Sequence, residues 1–373
     1  MEPSCRDTNV PIVNISKYTS YCSGGSNFSA YHHSWVVNVL QYAAPLAHIY
    51  GFSTNGSYSD TSYSPHPPNP FSYSPPMEIG NHSYGYITLD GTYAVYDAAM
   101  DNYIYEHGVI NFVAAGNIAI LDPTPFVMSP GKAVNAITVG AVEPATMNYA
   151  SYSKWKNSYV GNNKPEVGMY TDLYMGNYSS GETFNGTSAA TPLLAGLTAD
   201  YMQADVFTKR HPEVYKAHLI THGSSFIANS NSFDADNTSK AGRYISDWQD
   251  ISWSNTRRYW EGNNSSFFNY NNEFSITENS VPVVLGKTYK ISISWLSTGS
   301  YVYNYGLIPQ DLDLYVYQDG RLIAVSTSAY NPYEAVEFIA QSNSPFVVKI
   351  VRDRNSSTNE RVKIGYCYKW DYI

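Results

Sequence analysis

The sequence predicts an α/β domain, a parallel sheet with helices on both faces, followed by an all-β sandwich. Three observations carry this. Apolar runs such as Val109-Ile110-Asn111-Phe112-Val113-Ala114-Ala115 and Ile137-Thr138-Val139-Gly140-Ala141 are nearly continuous rather than alternating, as strands buried on both faces are. They are interspersed with helical stretches, the pattern of a sheet built with crossover helices. From Phe274 onward the period becomes two, as in Lys287-Thr288-Tyr289-Lys290-Ile291-Ser292-Ile293-Ser294-Trp295, Phe346-Val347-Val348-Lys349-Ile350-Val351 and Arg361-Val362-Lys363-Ile364-Gly365-Tyr366. Alternation of this kind marks half-buried strands, and no helix-period stretch interrupts them, so a sandwich of about 100 residues is expected. With 373 residues the chain has length for two domains. The first is read as residues 1–260 and the second as residues 268–373, joined by the polar connector Asn263-Asn264-Ser265-Ser266.

Within the first domain, Gly186-Thr187-Ser188-Ala189-Ala190-Thr191-Pro192 precedes the apolar run Leu193-Leu194-Ala195-Gly196-Leu197. This places Ser188 on a glycine turn at the start of a buried helix. A hydroxyl there lies among backbone N–H groups that the helix leaves unpaired, and these stabilise the anion that develops during acyl transfer. Glycine permits the turn, and small neighbours admit a substrate backbone. The bland alternative is a serine capping an ordinary core helix.

This segment resembles the serine motif of the subtilisin-like peptidases, and four further segments resemble that family in the same order. The strand ending Ala115-Gly116-Asn117 is similar to the one whose asparagine side chain donates to the oxyanion, which implies that role for Asn117. Asn81-His82-Ser83-Tyr84-Gly85 resembles the segment that pairs with bound peptide, implying substrate contacts at Ser83, Tyr84 and Gly85. Residues Ser129-Pro130-Gly131 with Ile137-Thr138-Val139-Gly140-Ala141, and Lys164-Pro165-Glu166-Val167, complete the set. The resemblance implies a serine endopeptidase acting on polypeptides through an acyl-enzyme on Ser188.

Such chemistry needs an imidazole to take the hydroxyl proton and a carboxylate to fix that imidazole. The family's histidine helix corresponds to Tyr31-His32-His33-Ser34-Trp35-Val36-Val37. His32 at the catalytic position puts Val36, Val37 and Leu40 on the buried side, and His33 is the alternative. The carboxylate falls on Asp7-Thr8-Asn9, which lacks both the preceding apolar strand and the glycine of the family pattern. Loss of the aspartate alone from such a triad costs roughly 10⁴-fold in turnover. A second reading is therefore a catalytically impaired relative serving as an extracellular binding or surface-structural protein. The acid-active serine-carboxyl peptidases fit less well, because residues 32–45 hold no carboxylate and asparagine stands at 117.

The second domain resembles the jelly-roll module attached to some secreted members of the family, chiefly at Gln310-Asp311-Leu312-Asp313-Leu314-Tyr315-Val316. Asp311 and Asp313 share one strand face, and with no basic residue beside them in sequence they make a candidate calcium site.

Composition bears on location. Only 14% of residues are charged, 36 are tyrosine, and sequons recur at Asn14, Asn27, Asn55, Asn177 and Asn355. This suits an extracellular, secreted or cell-surface protein. A net charge of −9 with no basic run argues against nucleic acid, and no stretch has the length and apolarity of a membrane span. No signal peptide or inhibitory propeptide is seen at Met1, so a mature or N-terminally incomplete chain is expected. Of Cys5, Cys22 and Cys367, a Cys5–Cys22 bridge would tether the N-terminal arm near His32.

Overall fold

The computed structural model describes residues 14–21, 27–52, 69–155, 162–174, 183–223, 243–244, 255–262, 267–356 and 360–370. First come β1 (Tyr18–Ser20), α1 (Asn27–Ala43) and β2 (Ile49–Gly51), with β1 and β2 paired in parallel. Next are β3 (Ile79–His82), α2 (Val95–His107), β4 (Ile110–Ala114), β5 (Ile137–Val142), β6 (Val167–Tyr170), the antiparallel pair β7 (Leu173–Tyr174) and β8 (Thr183–Phe184), α3 (Thr187–Ala204), α4 (Pro212–His222) and β9 (Arg243–Tyr244). Strands β3-β4-β5-β6-β9 form, in that order, one parallel sheet.

Every residue of β4 and β5 is buried, which is why these strands read as unbroken apolar runs. Their side chains point alternately to two covers. Ile110 and Phe112 pack with Ala190 and Leu194 of α3, whereas Val113 packs with Met100 and Ile104 of α2. Helix α1 lies against α3, where Gly196 allows close approach: a Cβ there would sit 2.5 Å from Ala43 Cβ.

The remaining elements are β10 (Asn255–Gly262), β11 (Glu273–Glu278), β12 (Thr288–Trp295), α5 (Gly299–Tyr305), β13 (Gln310–Gln318), β14 (Arg321–Ser326), β15 (Tyr333–Ile339), β16 (Phe346–Asn355) and β17 (Val362–Trp370). They form two four-stranded antiparallel sheets, ordered β10-β17-β12-β15 and β11-β16-β13-β14. Tyr289, Ile291, Ile293 and Trp295 of β12 meet Leu312, Leu314 and Val316 of β13 in the core between them. The α/β fold with an all-β C-terminal part matches the sequence reading.

Two details differ. Strand β10 pairs with β17 over its whole length, so the sandwich starts before the boundaries at 260 and 268, and the stretch 263–266 lies between two sandwich strands. The sequence Asn255-Thr256-Arg257-Arg258-Tyr259-Trp260-Glu261-Gly262 lacks the alternation that identified the other strands. Helix α5 also interrupts the strands, being too short to show a helical period.

A buried ionic cluster joins the parallel sheet to α4. Glu166 Oε1 lies 2.6 Å from both Lys164 Nζ and Lys216 Nζ, and all three side chains are buried. Glu166 Oε2 accepts from Thr138 N at 2.9 Å, and Lys216 Nζ donates to Val134 O at 2.7 Å. Burial pushes the Glu166 carboxyl up, but the two ammonium groups outweigh it and hold it below its ordinary range. Its contribution to stability is therefore full at neutral pH and lost as pH falls through that depressed value. Glu166→Gln strands two buried cations, and we expect a loss of about 3–5 kcal/mol, read from urea denaturation at neutral pH and shrinking on acidification.

Candidate active site

Helix α3 starts on the turn that the sequence indicated. Gly186 is its N-cap with φ +86°, and Ser188 is its second residue, half-buried. The local sequence also shapes the first turn. Pro192 stands four residues after Ser188 and has no N–H, so the Ser188 carbonyl receives no helical hydrogen bond from it. Ser83 supplies the donor instead, its Oγ reaching Ser188 O at 3.2 Å, while Ser188 Oγ donates back to Ser83 O at 3.3 Å. Two segments 105 residues apart are thus clasped at the proposed nucleophile.

Asn117 lies just beyond β4. Its Oδ1 accepts from Thr187 N at 3.1 Å and Thr187 Oγ1 at 3.2 Å. Because the backbone N–H can only donate, it is the amide oxygen that faces Thr187, and Nδ2 is turned to Gly186. A Cβ on residue 186 would sit 2.8 Å from that Nδ2. Thr187 Oγ1 also accepts from Gly116 N at 3.2 Å. The side chain named from sequence as an oxyanion donor is therefore held next to Ser188 by the preceding residue.

Ser83, Tyr84 and Gly85 follow the end of β3. Asn81 Nδ2 donates to Ser83 Oγ at 3.1 Å, and Tyr86 exchanges backbone hydrogen bonds with Ser129. Gly85 lies against Met128, whose Cβ would be 2.7 Å from a Cβ at 85. Beneath this segment His82 is buried between Asn111 Oδ1 at 2.8 Å and Tyr84 OH at 3.0 Å. Burial lowers its pKa to about 4, so it is neutral at pH 7. Sequence reading passed over His82 as a support, and its short strand Ile79-Gly80-Asn81-His82 carries no apolar run that would have marked it as buried.

The two candidate bases have different surroundings. His32 meets the ring of Phe184 edge-on at 5.7 Å, and Trp35 stacks on that ring at 5.6 Å. This sets His32 against β8, which leads into the serine turn. His33 Nε2 instead bonds Tyr18 OH of β1 at 2.9 Å. Burial lowers both imidazoles, His33 to about 4 with His32 adding to the shift. Among the described residues, Ser188 Oγ is bonded to Ser83 O and not to either imidazole. Asp7, Cys5 and Cys22 lie outside the described residues; Cys367 is a buried free thiol.

Asp311 and Asp313 both lie on β13, but the expectation of an acid pair without a basic neighbour is corrected. Arg354 Nη1 of β16 sits 3.4 Å from Asp311 Oδ2. A cross-strand partner of this kind is not readable from positions near the pair in sequence. Asp311 Oδ1 is buried without a hydrogen-bond partner, and Tyr315 OH donates to Asp313 Oδ2 at 3.3 Å.

A family model described as the Subtilase family matches residues 32–242, more than half of the chain. The chain belongs to the subtilase family. Among curated relatives, it is 39% identical over 114 residues to Subtilisin-like protease 2 of Pseudogymnoascus destructans, covering 30% of this chain and 27% of that protein. It is 34% identical over 125 residues to a Cuticle-degrading serine protease of Arthrobotrys oligospora, covering 33% and 29% respectively. The matches thus span less than a third of those relatives' lengths. Among solved structures, a cold adapted subtilisin-like serine proteinase is similar with TM-score 0.42 and 19% identity, over 65% of this chain and 86% of that one. No helix among the described residues is long and apolar enough to cross a membrane.

The serine turn makes a direct test. Gly186→Ala combines a positive φ with a collision against the Asn117 amide, and we expect a destabilisation of about 1 kcal/mol or more, measured by urea denaturation. Unchanged stability would mean that the turn relaxes without cost.

Proposed function

We propose that this subtilase is a secreted serine endopeptidase that cleaves polypeptides through an acyl-enzyme on Ser188. The observation that carries the proposal is the convergence of Ser188, Ser83 and the Thr187-anchored Asn117 amide at the N-terminus of α3. In this mechanism Ser188 Oγ leaves Ser83 O and attacks the substrate carbonyl, and His32 takes its proton and returns it to the leaving amine. Asn117 Nδ2 and Ser188 N receive the oxyanion. The substrate lies extended along Ser83, Tyr84 and Gly85, bonded through its backbone. Asp7 is the orienting carboxylate in this scheme. Secretion is supported by the sequons and low charge, and by the likeness to a cuticle-degrading protease.

The test is covalent labelling of Ser188 by a fluorophosphonate probe, with the adduct located by peptide mass spectrometry and Ser188→Ala as control. Labelling at Ser188 is the expected result. Its acid limb should lie below the usual histidine range, because burial lowers His32 and keeps it an unprotonated base into mild acid. Asn117→Ala should lower kcat on a peptide substrate by about 10²–10³-fold. A folded chain that takes no label supports instead the impaired, extracellular binding or surface-structural protein. The bond from Ser188 Oγ to Ser83 O, rather than to an imidazole, favours that second reading.

We also propose calcium at Asp311 and Asp313, in competition with Arg354. The unpartnered Asp311 Oδ1 supports it, as does Asp313, raised to about 6 by burial and by the Asp311 and Asp353 charges. Calcium should raise Tm, more strongly in Arg354→Ala and not in Asp313→Asn. Identical melting of wild type and Arg354→Ala in calcium and in EGTA would overturn the site.

A further inference from the structure

The last turn of α4 brings together three metal-ligating side chains outside the proposed active site. His218 and His222 are spaced i and i+4, so both imidazoles leave the same helical face. Cys367 of β17 faces them from the sandwich. All three residues are buried, and their ligand atoms lie within 4.8 Å of one another. Cys367 Sγ is 3.9 Å from His218 Nδ1, and the two imidazole centroids are 4.0 Å apart.

The surroundings orient these groups. His222 Nδ1 lies 2.9 Å from the His218 carbonyl oxygen, which can only accept. Nδ1 therefore carries the proton, and the neutral ring presents its lone pair on Nε2, a tautomer suited to metal binding. Tyr201 and Tyr215 flank the His218 ring at 5.0 and 5.8 Å. Thr221, between the histidines, donates to Ala217 O, and its Oγ1 accepts from Ser292 Oγ of β12 at 2.8 Å, which fixes the helix against the sheet. Arg257 is opposite Cys367 on β10, and its guanidinium is paired with Asp205 and Tyr201 OH.

We propose that His218, His222 and Cys367 form a buried zinc site that clamps α4 to the sandwich. One thiolate and two imidazoles are borderline-soft donors that suit zinc better than calcium or magnesium. Zn–S of about 2.3 Å and Zn–N of about 2.0–2.1 Å put tetrahedral ligand atoms roughly 3.3–3.6 Å apart. From a spread of at most 4.8 Å the ligand atoms close by up to roughly 1.2–1.5 Å to reach that geometry. Cys367 loses its thiol proton to solvent on binding, and the ion with one thiolate carries a net single positive charge. Three protein ligands leave the fourth zinc position to water.

The 373-residue chain is stripped with a chelator, refolded with cobalt(II), and examined by absorption spectroscopy. We expect one cobalt per chain, tetrahedral ligand-field bands, and a near-ultraviolet thiolate-to-cobalt band that zinc abolishes. Zinc should also raise Tm. Cys367→Ala should lose the charge-transfer band, and His222→Gln should weaken cobalt binding at least tenfold, with far-ultraviolet circular dichroism reporting folding. Should either variant fail to fold, X-ray absorption of the zinc-loaded wild type decides between one sulfur with nitrogen neighbours and an oxygen/nitrogen shell alone. Absence of metal uptake by folded wild type, an intact charge-transfer band in Cys367→Ala, or a shell without sulfur would each overturn the site.

Discussion

The position of α4 depends on one carboxylate. Glu166 stands between Lys164 and Lys216 inside the protein, and each of the three groups also bonds a backbone atom. Isolated, any of them would be costly to bury; together the carboxylate offsets one of the two ammonium charges, and the lysines satisfy the carbonyls of Val134 and Ala136. A cluster of this kind contributes geometric specificity more than stability, because a charge displaced from its partner has no solvent to fall back on. It fixes β6, the segment before β5 and α4 in one arrangement. The same segment is gripped from the other side by Asp101, which accepts from Val134 N at 2.8 Å and Asn135 N at 2.6 Å.

This frame reaches the candidate active site through short loops. Lys154 Nζ pairs with Asp122 at 2.9 Å, and Lys154 N donates to Gly116 O at 3.0 Å, so the chain on either side of Asn117 is tied to one buried lysine in the loop between β5 and β6. From there Thr187 links Asn117 to α3, and Ser83 links α3 to the end of β3. Pro192 has a positive role in this chain of contacts. A residue with an N–H at 192 would compete with Ser83 for the Ser188 carbonyl, and the clasp between the two segments would weaken. Residues that look like sequence decoration around Ser188 are here the parts that hold it.

How much was legible in sequence follows from the range of each interaction. The turn at Gly186 and the helix start beside Ser188 were readable because they are local features with local residue requirements, whereas Asn117 was named only through the family resemblance. The parallel sheet was readable because burial on both faces removes alternation. Strand β10 was not, since its pairing with β17 joins residues a hundred or more positions apart and its own composition is polar. The same holds for Arg354 beside Asp311, which a cross-strand register places there, with an irregularity between Asp311 and Leu312. The different surroundings of His32, against Phe184, and His33, bonded to Tyr18, also come from residues distant in sequence. The histidines of α4 offered an i, i+4 spacing, but nothing near them in sequence announces Cys367.

The sandwich is not an appendage in this arrangement. All eleven residues of α4 are buried, although the helix carries Glu213, Lys216, His218, Thr221 and His222. A helix that polar can be buried only if both of its sides meet partners built for it. One side meets Glu166 and the sheet carbonyls, and the other meets the outer face of β12 and β17. That face is small and polar where the inner face is large and apolar: Ser292, Ser294, Gly365 and Cys367 alternate with Ile291, Ile293, Ile364, Tyr366 and Tyr368. At Gly365 a Cβ would lie 2.3 Å from the Glu213 backbone, so only glycine admits the helix at this distance. Asn135 adds a second tie, exchanging hydrogen bonds with Ser297 at 2.7 and 2.9 Å. Removing the sandwich would expose the polar face of α4 and unsupport Lys216, and with it the carboxylate on which the parallel sheet and the helix are registered. The two parts of the chain therefore share one structural element, and their stabilities are coupled through it.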